Sequence, residues 1–262
     1  MVIDSHLLAK KSRISTLKMI TKSKSSHVGS SFSVIDLLAV TFSYKLNENR
    51  TDDSIILSKG HAAAGLYSIL GNCKLIPDEA IENYGLDGSA FGGHTSHFAS
   101  PHVEFSTGSL GHALSIGAGI AKSKLLNSNY GKVFVIMSDG ELNEGSSWEA
   151  FLFASHHKLH NVYVLIDRNN LQSIKSTEET LALEPLKTKF EAFGWYVSVI
   201  DGHNHDAILK EISNVDYLVK KPRVIICNTV KGKGVSFMEN DIKWHYKYPN
   251  PAEFKKALEE LI

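Results

Sequence analysis

Apolar residues follow two alternating rhythms along this chain. Short, mostly β-branched runs occur at Ser54–Leu57, Val133–Met137, Val162–Ile166, Val197–Ile200 and Val224–Cys227, each bounded by Asp, Gly, Asn or Ser. Runs of that length closed by turn residues predict buried strands. Between them lie longer patterns of helical period. Leu142–Leu159 repeats Trp148, Phe151, Leu152 and Leu159 near helical spacing, and Asp206–Val219 does the same with Ile208, Leu209, Ile212 and Val215. Ala113–Leu125 reads as a helix whose Gly117 and Gly119 permit tight packing, and Pro249–Ile262 carries a short terminal helical pattern. This alternation predicts an α/β fold, with a mostly parallel central sheet, helices on both faces and ligands at the carboxyl ends of the strands. Asn47–Asp53 is polar enough for a surface connection. Lys231–Pro251, rich in Gly, Lys and aromatics, reads as a long loop rather than a domain linker.

At 262 residues the chain is expected to form one domain, residues 1–262, around a large core. Its 28 basic and 28 acidic residues cancel, so no global field draws nucleic acid or an anionic membrane, and an anion has to be bound locally. No apolar run reaches transmembrane length, and Met1–Lys11 lacks the apolar core of a signal peptide. Cys73 and Cys227 form no CxxC pair, and a reducing cytoplasm is the expected compartment.

The strongest chemical feature joins two strand ends. One strand runs into Ser138-Asp139-Gly140-Glu141 and the next into Asp167-Arg168-Asn169-Asn170-Leu171. A carboxylate, an amide oxygen and a free backbone carbonyl are hard oxygen donors suited to Mg²⁺ or Ca²⁺, with diphosphate oxygens and water completing the shell. Either cluster alone would be an ordinary turn. The ordered pair, separated by one helix, raises the signal.

At these residues the chain resembles the thiamine diphosphate enzymes, and specifically the N-terminal section of transketolase. Asp139 and Asn169 match the two ends of that family's metal and diphosphate motif. Ser138 to Gly145 followed by Trp148-Glu149-Ala150 looks like the transketolase form of it. Ser58-Lys59-Gly60-His61-Ala62, Ser106-Thr107-Gly108-Ser109-Leu110-Gly111-His112 and Thr229 to Ser236 resemble three further family blocks in the same order. The resemblance implies Asp139, Asn169 and the Leu171 carbonyl as metal ligands, and His61, Gly108, Ser109, Leu110, Asp139, Gly140, Glu141, Asn169 and His245 as contacts to thiamine diphosphate, with Gly140 letting the backbone approach the diphosphate. It implies His27, His61, His94 and His245 as imidazoles lining a sugar channel, and residues 231–251 as an active-site loop. Glu144 resembles a glutamate that couples cofactor sites near a subunit interface; an exposed first-turn helix residue is the alternative. His97 and His102 lack such matches, and with His94 they form no recognised zinc pattern.

The implied chemistry is transfer of a two-carbon ketol unit from a ketose, free or phosphorylated, to an aldose. The implied partner is a second subunit carrying the pyrimidine-binding and C-terminal domains, two copies of each chain making a heterotetramer. Ser138, close to the diphosphate, and Ser173-Ile174-Lys175, where the family has an apolar contact to the thiazolium ring, depart from the family pattern, and the departures at Ser26-His27-Val28-Gly29, Gly93-His94-Thr95 and Trp244-His245-Tyr246 cluster around sugar-contacting positions. They suggest a specialised sugar. Another thiamine diphosphate enzyme subunit, or a non-catalytic assembly subunit, remain alternatives. A nucleotide-binding α/β domain is disfavoured by the lack of GxGxxG or a Walker loop.

Overall fold

A computed structural model describes residues 2–214 and 220–262. Five strands form one parallel sheet: β1 (Ser54–Leu57), β2 (Val133–Ser138), β3 (Val162–Arg168), β4 (Tyr196–Asp201) and β5 (Arg223–Asn228), in the order β1-β2-β3-β5-β4. Ten helices surround it: α1 (Ser5–Ser23), α2 (Val28–Asn47), α3 (Ala63–Asn72), α4 (Asp78–Glu82), α5 (Ala113–Leu126), α6 (Gly145–His156), α7 (Thr177–Leu181), α8 (Leu186–Ala192), α9 (His205–Ser213) and α10 (Pro251–Leu261).

Period-two alternation sorts the strand side chains into two cores. Phe134, Ile136, Tyr163, Leu165, Ile225 and Cys227 face a layer built mainly from α1, α2 and α3. Val133, Val135, Met137, Val162, Val164, Ile166, Val224 and Ile226 face the layer of α5, α6 and α8. Both faces of the sheet are therefore covered, as the alternating pattern predicts. Every residue of α2 from Val28 to Tyr44 is buried, making it the central helix of its layer.

Three expectations need correction. The Val197–Ile200 run forms a strand, but an edge strand in which Tyr196 and Val199 are exposed, because only β5 pairs with it. Leu152 lies on the outward side of α6, 56% exposed. Gly117 does give close packing, since a Cβ there would meet Val135 at 2.6 Å, whereas Gly119 faces open space. Val215, expected to continue the Asp206–Val219 pattern, lies outside the described residues; the described helix ends at Ser213.

Helix ends follow local chemistry. Asp4 caps α1 by accepting from the His6 and Leu7 amides at 2.8 and 3.1 Å. Asn250 and Glu253 form a capping box on α10, with Pro251 at its first position. The cap of α2 differs: His27 sits in the left-handed region at φ 75° and makes no side-chain cap bond. Such a conformation costs a non-glycine residue roughly 1–2 kcal/mol. Its neighbours hold it there, with the His27 amide donating to the His245 carbonyl at 2.9 Å.

Candidate active site

The carboxyl ends of β1, β2, β3 and β5 converge on a cavity of about 300 Å³. The 3₁₀ turn after β1 brings His61, the start of α2 brings His27, and a second 3₁₀ turn, Ile242–His245, brings His245. The His27 ring stands 5.1 Å from His61, 6.0 Å from His94 and 5.0 Å from His245, centroid to centroid. All four histidines from separate sequence blocks thus meet and line one cavity. Gly60 makes the approach possible, because a Cβ there would stand 2.2 Å from the Thr107 carbonyl oxygen.

Burial favours the neutral form of three of these imidazoles, His27, His61 and His245. Burial, then the neighbouring His94, Lys59 and Lys231, lower the pKa of His27 from 6.5 to about 4. Burial and Lys231 lower that of His245 to about 3, and burial with Lys59 holds His61 well below the usual range. A neutral ring offers one donor and one acceptor, the form that hydrogen-bonds a hydroxyl or moves a proton. Between pH 6.5 and about 4 the unfolded chain binds more protons at His27 and His245 than the folded chain does, so stability falls as pH drops through that window. The ligand-free His245→Gln variant is expected to lose less of its denaturant midpoint than the parent between pH 7 and pH 5. Parallel losses in the two proteins would show that His245 is not a buried neutral ring.

The oxygen donors lie on the floor. Adjacent strand ends place Asp139 next to Asp167, with the Asp139 amide donating to the Asp167 carbonyl at 3.3 Å. Asp139 Oδ1 accepts from the Gly140 amide at 2.8 Å, and Oδ2 from the Asn170 amide at 2.7 Å and Arg168 Nη1 at 3.3 Å. Burial, with the Asp167 charge behind it, raises its pKa from 3.8 to about 6. Asn169 Oδ1 accepts from the Leu171 amide at 3.1 Å. The Leu171 carbonyl accepts from the Lys231 ammonium at 3.3 Å, so it already faces a cation. Each of these oxygens keeps lone-pair capacity, and a carboxylate destabilised by desolvation and a like charge gains from a cation beside it. The donor set fits a hard divalent ion.

Two lysines complete the walls. Lys59 is buried and paired with Asp167 at 2.5 Å; Ser33 at 2.6 Å and Thr229 also bond that carboxylate. These partners outweigh the upward push of burial and lower the Asp167 pKa. Lys231 is equally buried and reaches the Gln172 carbonyl at 2.9 Å and His245 Nδ1 at 3.0 Å. Burial first, then Lys59, lowers its pKa to about 8. Both lysines lie inside the family-like sequence blocks, yet sequence reasoning gives them no role; their signal was a lysine beside the strand-end glycines.

The remaining expected residues separate. Gly108 and Leu110 line the cavity, as do Ser138, Gly140, Ser173 and Tyr246. A Cβ on Gly108 would crowd the His94 ring at 3.3 Å, and one on Gly140 the Gln172 side chain at 3.2 Å. Ser138 Oγ accepts from the Glu141 amide at 3.3 Å, while Ile174 is 75% exposed. Glu141 is fully buried behind the wall, where burial raises its pKa. Its carboxylate accepts from the Ser58 hydroxyl and, at 2.8 Å, from the Gly111 amide, tying two loops together. Ser109 and Glu144 are exposed and stand outside the cavity lining. Residues 231–250 are turns, irregular links and one 3₁₀ segment, Pro251 opens α10, and the segment contributes Lys231, His245 and Tyr246 to the lining. His97 Nδ1 pairs with Ser106 Oγ at 2.7 Å.

The transketolase, thiamine diphosphate binding domain family matches residues 4–257. The chain is 35% identical over 262 residues to an apulose-4-phosphate transketolase subunit of Phocaeicola vulgatus, covering 97% of this chain and 92% of that protein. It is 32% identical to human transketolase over 97% of this chain, but only 41% of that protein. The crystal structure of transketolase from Campylobacter jejuni superposes with a TM-score of 0.84 at 31% identity, over 97% of this chain and 42% of that one. This chain therefore belongs to the transketolase family, of which it carries the thiamine diphosphate-binding domain.

Proposed function

We propose that this chain is the diphosphate-binding subunit of a two-chain transketolase that moves a two-carbon ketol unit from a ketose, free or phosphorylated, to an aldose. The observation that carries the reading is the meeting of four histidine rings with Asp139, Asn169 and the Leu171 carbonyl in one cavity. Asp139, Asn169 and Leu171 would hold Mg²⁺ or Ca²⁺, and Gly108, Leu110 and Gly140 would lie along thiamine diphosphate. The bound cofactor supplies a nucleophilic carbon and an electron sink for carbon–carbon bond cleavage. Lys231 brings positive charge to the diphosphate end of the cavity. His27, His61, His94 and His245 bind and orient sugar hydroxyls and transfer protons at the oxygens that gain or lose charge. Ser109, Glu141 and Glu144 act from outside the cavity lining, Glu141 as the brace of the Gly108–Gly111 turn and Glu144 toward the subunit interface.

A partner subunit is supported by the name of the Phocaeicola vulgatus relative, which designates one subunit of a transketolase and is matched by this chain over 92% of its length. It is supported also by the α5–α6 surface, where Ser115, Gly119, Glu149, Ala150 and Phe153 line a groove of about 340 Å³ and the apolar Leu152 and Phe153 of α6 are exposed. Apolar side chains gathered in this way mark a surface that another protein covers. The arrangement suits a heterotetramer with two copies of each chain.

Tyr246, 59% exposed, lines the cavity with its ring 4.8 Å from that of His245, and its place there supports a specialised sugar. A ketose substrate labelled with ¹³C at its first two carbons tests the reaction in the reconstituted enzyme. Both labels are expected to arrive together in the product of the aldose acceptor. Labels recovered in one- or three-carbon fragments would contradict two-carbon transfer, and equal turnover of xylulose 5-phosphate and ribose 5-phosphate at ordinary transketolase rates would contradict the specialised sugar.

A further inference from the structure

On the far side of α2 from the cavity, Asp36 gathers three donors. Arg13 Nη1 donates to Oδ1 at 3.0 Å and Nη2 to Oδ2 at 2.5 Å, His203 Nδ1 donates to Oδ2 at 2.6 Å, and His205 Nε2 lies 3.1 Å from Oδ1. Burial pushes the Asp36 carboxyl up, but His203, His205 and Arg13 outweigh it and hold it ionised far below the usual carboxylate range. Two of the three partners grip the loop that follows β5. His203 Nε2 accepts from the Val230 amide at 2.9 Å, and Arg13 Nε donates to the Lys233 carbonyl at 3.1 Å. Because Val230 supplies the proton to Nε2, His203 is fixed as the tautomer whose Nδ1–H points at Asp36.

The third partner leads elsewhere. His205 Nδ1 pairs with Ser5 Oγ at 2.8 Å and its ring stacks on His6 at 3.9 Å, both at the start of α1. Between the two gripped backbone groups sits Lys231, whose ammonium enters the cavity from below. From α2's side the Gly29 carbonyl accepts from the Gly232 amide at 3.0 Å. One helix thus carries His27 and Ser30 into the cavity and, two turns later, the carboxylate that anchors the opposing loop.

We propose that Asp36 is a positioning residue, acting through His203 and Arg13 on the Val230–Lys233 backbone to hold Lys231 at the height where its ammonium meets the cofactor's diphosphate. The inference rests on the functional reading above. Cutting the hydrogen bond that orients a metal ligand from behind typically costs about 10- to 100-fold in affinity or activity, and the same scale is expected for a lysine held in this way. His203→Ala and His205→Ala each remove one bond to Asp36, but only the first releases the loop.

The test uses the chain assembled with its partner subunit, calorimetric titration with thiamine diphosphate at saturating Mg²⁺, and hydrogen–deuterium exchange across residues 230–233. His203→Ala is expected to weaken binding by about tenfold or more and to speed exchange at Val230. Asp36→Asn is expected to follow it. His205→Ala should bind within about twofold of the parent, although it too loses a bond to Asp36, and His203→Gln, which retains an acceptor for Val230, should recover most of the affinity. Equal weakening by His203→Ala and His205→Ala, or faster exchange in His203→Ala with unchanged binding, would overturn the inference. A parent assembly that takes up no thiamine diphosphate would instead sink the functional reading on which it rests.

Discussion

Replacing Asp139 by Asn is expected to abolish Mg²⁺-dependent uptake of thiamine diphosphate while leaving the chain folded. The carboxylate sits beside the Asn169 and Leu171 oxygens, and as the charged member of that set it supplies most of the attraction for a divalent ion next to a diphosphate. Equilibrium dialysis should show a loss beyond about 100-fold, the upper end of what a residue one shell further out contributes. Stability should change by less than about 2 kcal/mol. Arg168 keeps Thr177 at 2.6 Å, Glu178 at 3.0 Å and Glu184 at 2.9 Å, and an Asn retains a carbonyl oxygen for one of the two amides, Gly140 and Asn170, that bond the carboxylate. Removing a buried charge whose pKa is raised to about 6 also relieves repulsion with Asp167. Unchanged dialysis curves would remove Asp139 from the metal site.

The second large effect concerns the proposed partner subunit. Purified alone, this chain is expected to show no ketol transfer, and mixing with a subunit that carries the pyrimidine-binding and C-terminal domains should restore it. Glu141 is committed to Ser58 and Gly111 outside the cavity lining. The described residues lining the cavity include no glutamate, the acid that the family resemblance implies beside the cofactor's aminopyrimidine ring. On the proposed reading the partner subunit provides it. Size-exclusion chromatography with activity assays across the mixing ratio checks the prediction; full activity in fractions containing this chain alone would contradict it.

Much of this was legible in the sequence, and what was not has physical causes. The five strands announce themselves through short β-branched runs, and the observed bounds differ from the expected ones by one or two residues at most. Period alone does not reveal a strand's place in the sheet, so β4 reads as buried although it is an edge. Helix α2 stays hidden in the pattern because burial on every side from Val28 to Tyr44 removes the polar face that makes a helix visible as an amphipathic stripe. The four histidines were legible through their separate blocks, and the fold brings them within about one ring contact of each other. The lysines were not, because lysine usually marks solvent. Only the packing shows Lys59 locked onto Asp167 and Lys231 turned inward. The Asp36 network escaped for the same reason: its members lie far apart along the chain, and none belongs to a family-like block except through the backbone of Val230 and Lys233.

The central claim is that the cavity between the histidines and the β2 and β3 ends is a metal-dependent thiamine diphosphate site. Calorimetric titration of the assembled protein with thiamine diphosphate, once with Mg²⁺ and once with the metal chelated, tests it most directly. Saturable binding that appears with Mg²⁺ and vanishes on chelation is the predicted result; binding of equal strength in both titrations, or none in either, would contradict the account.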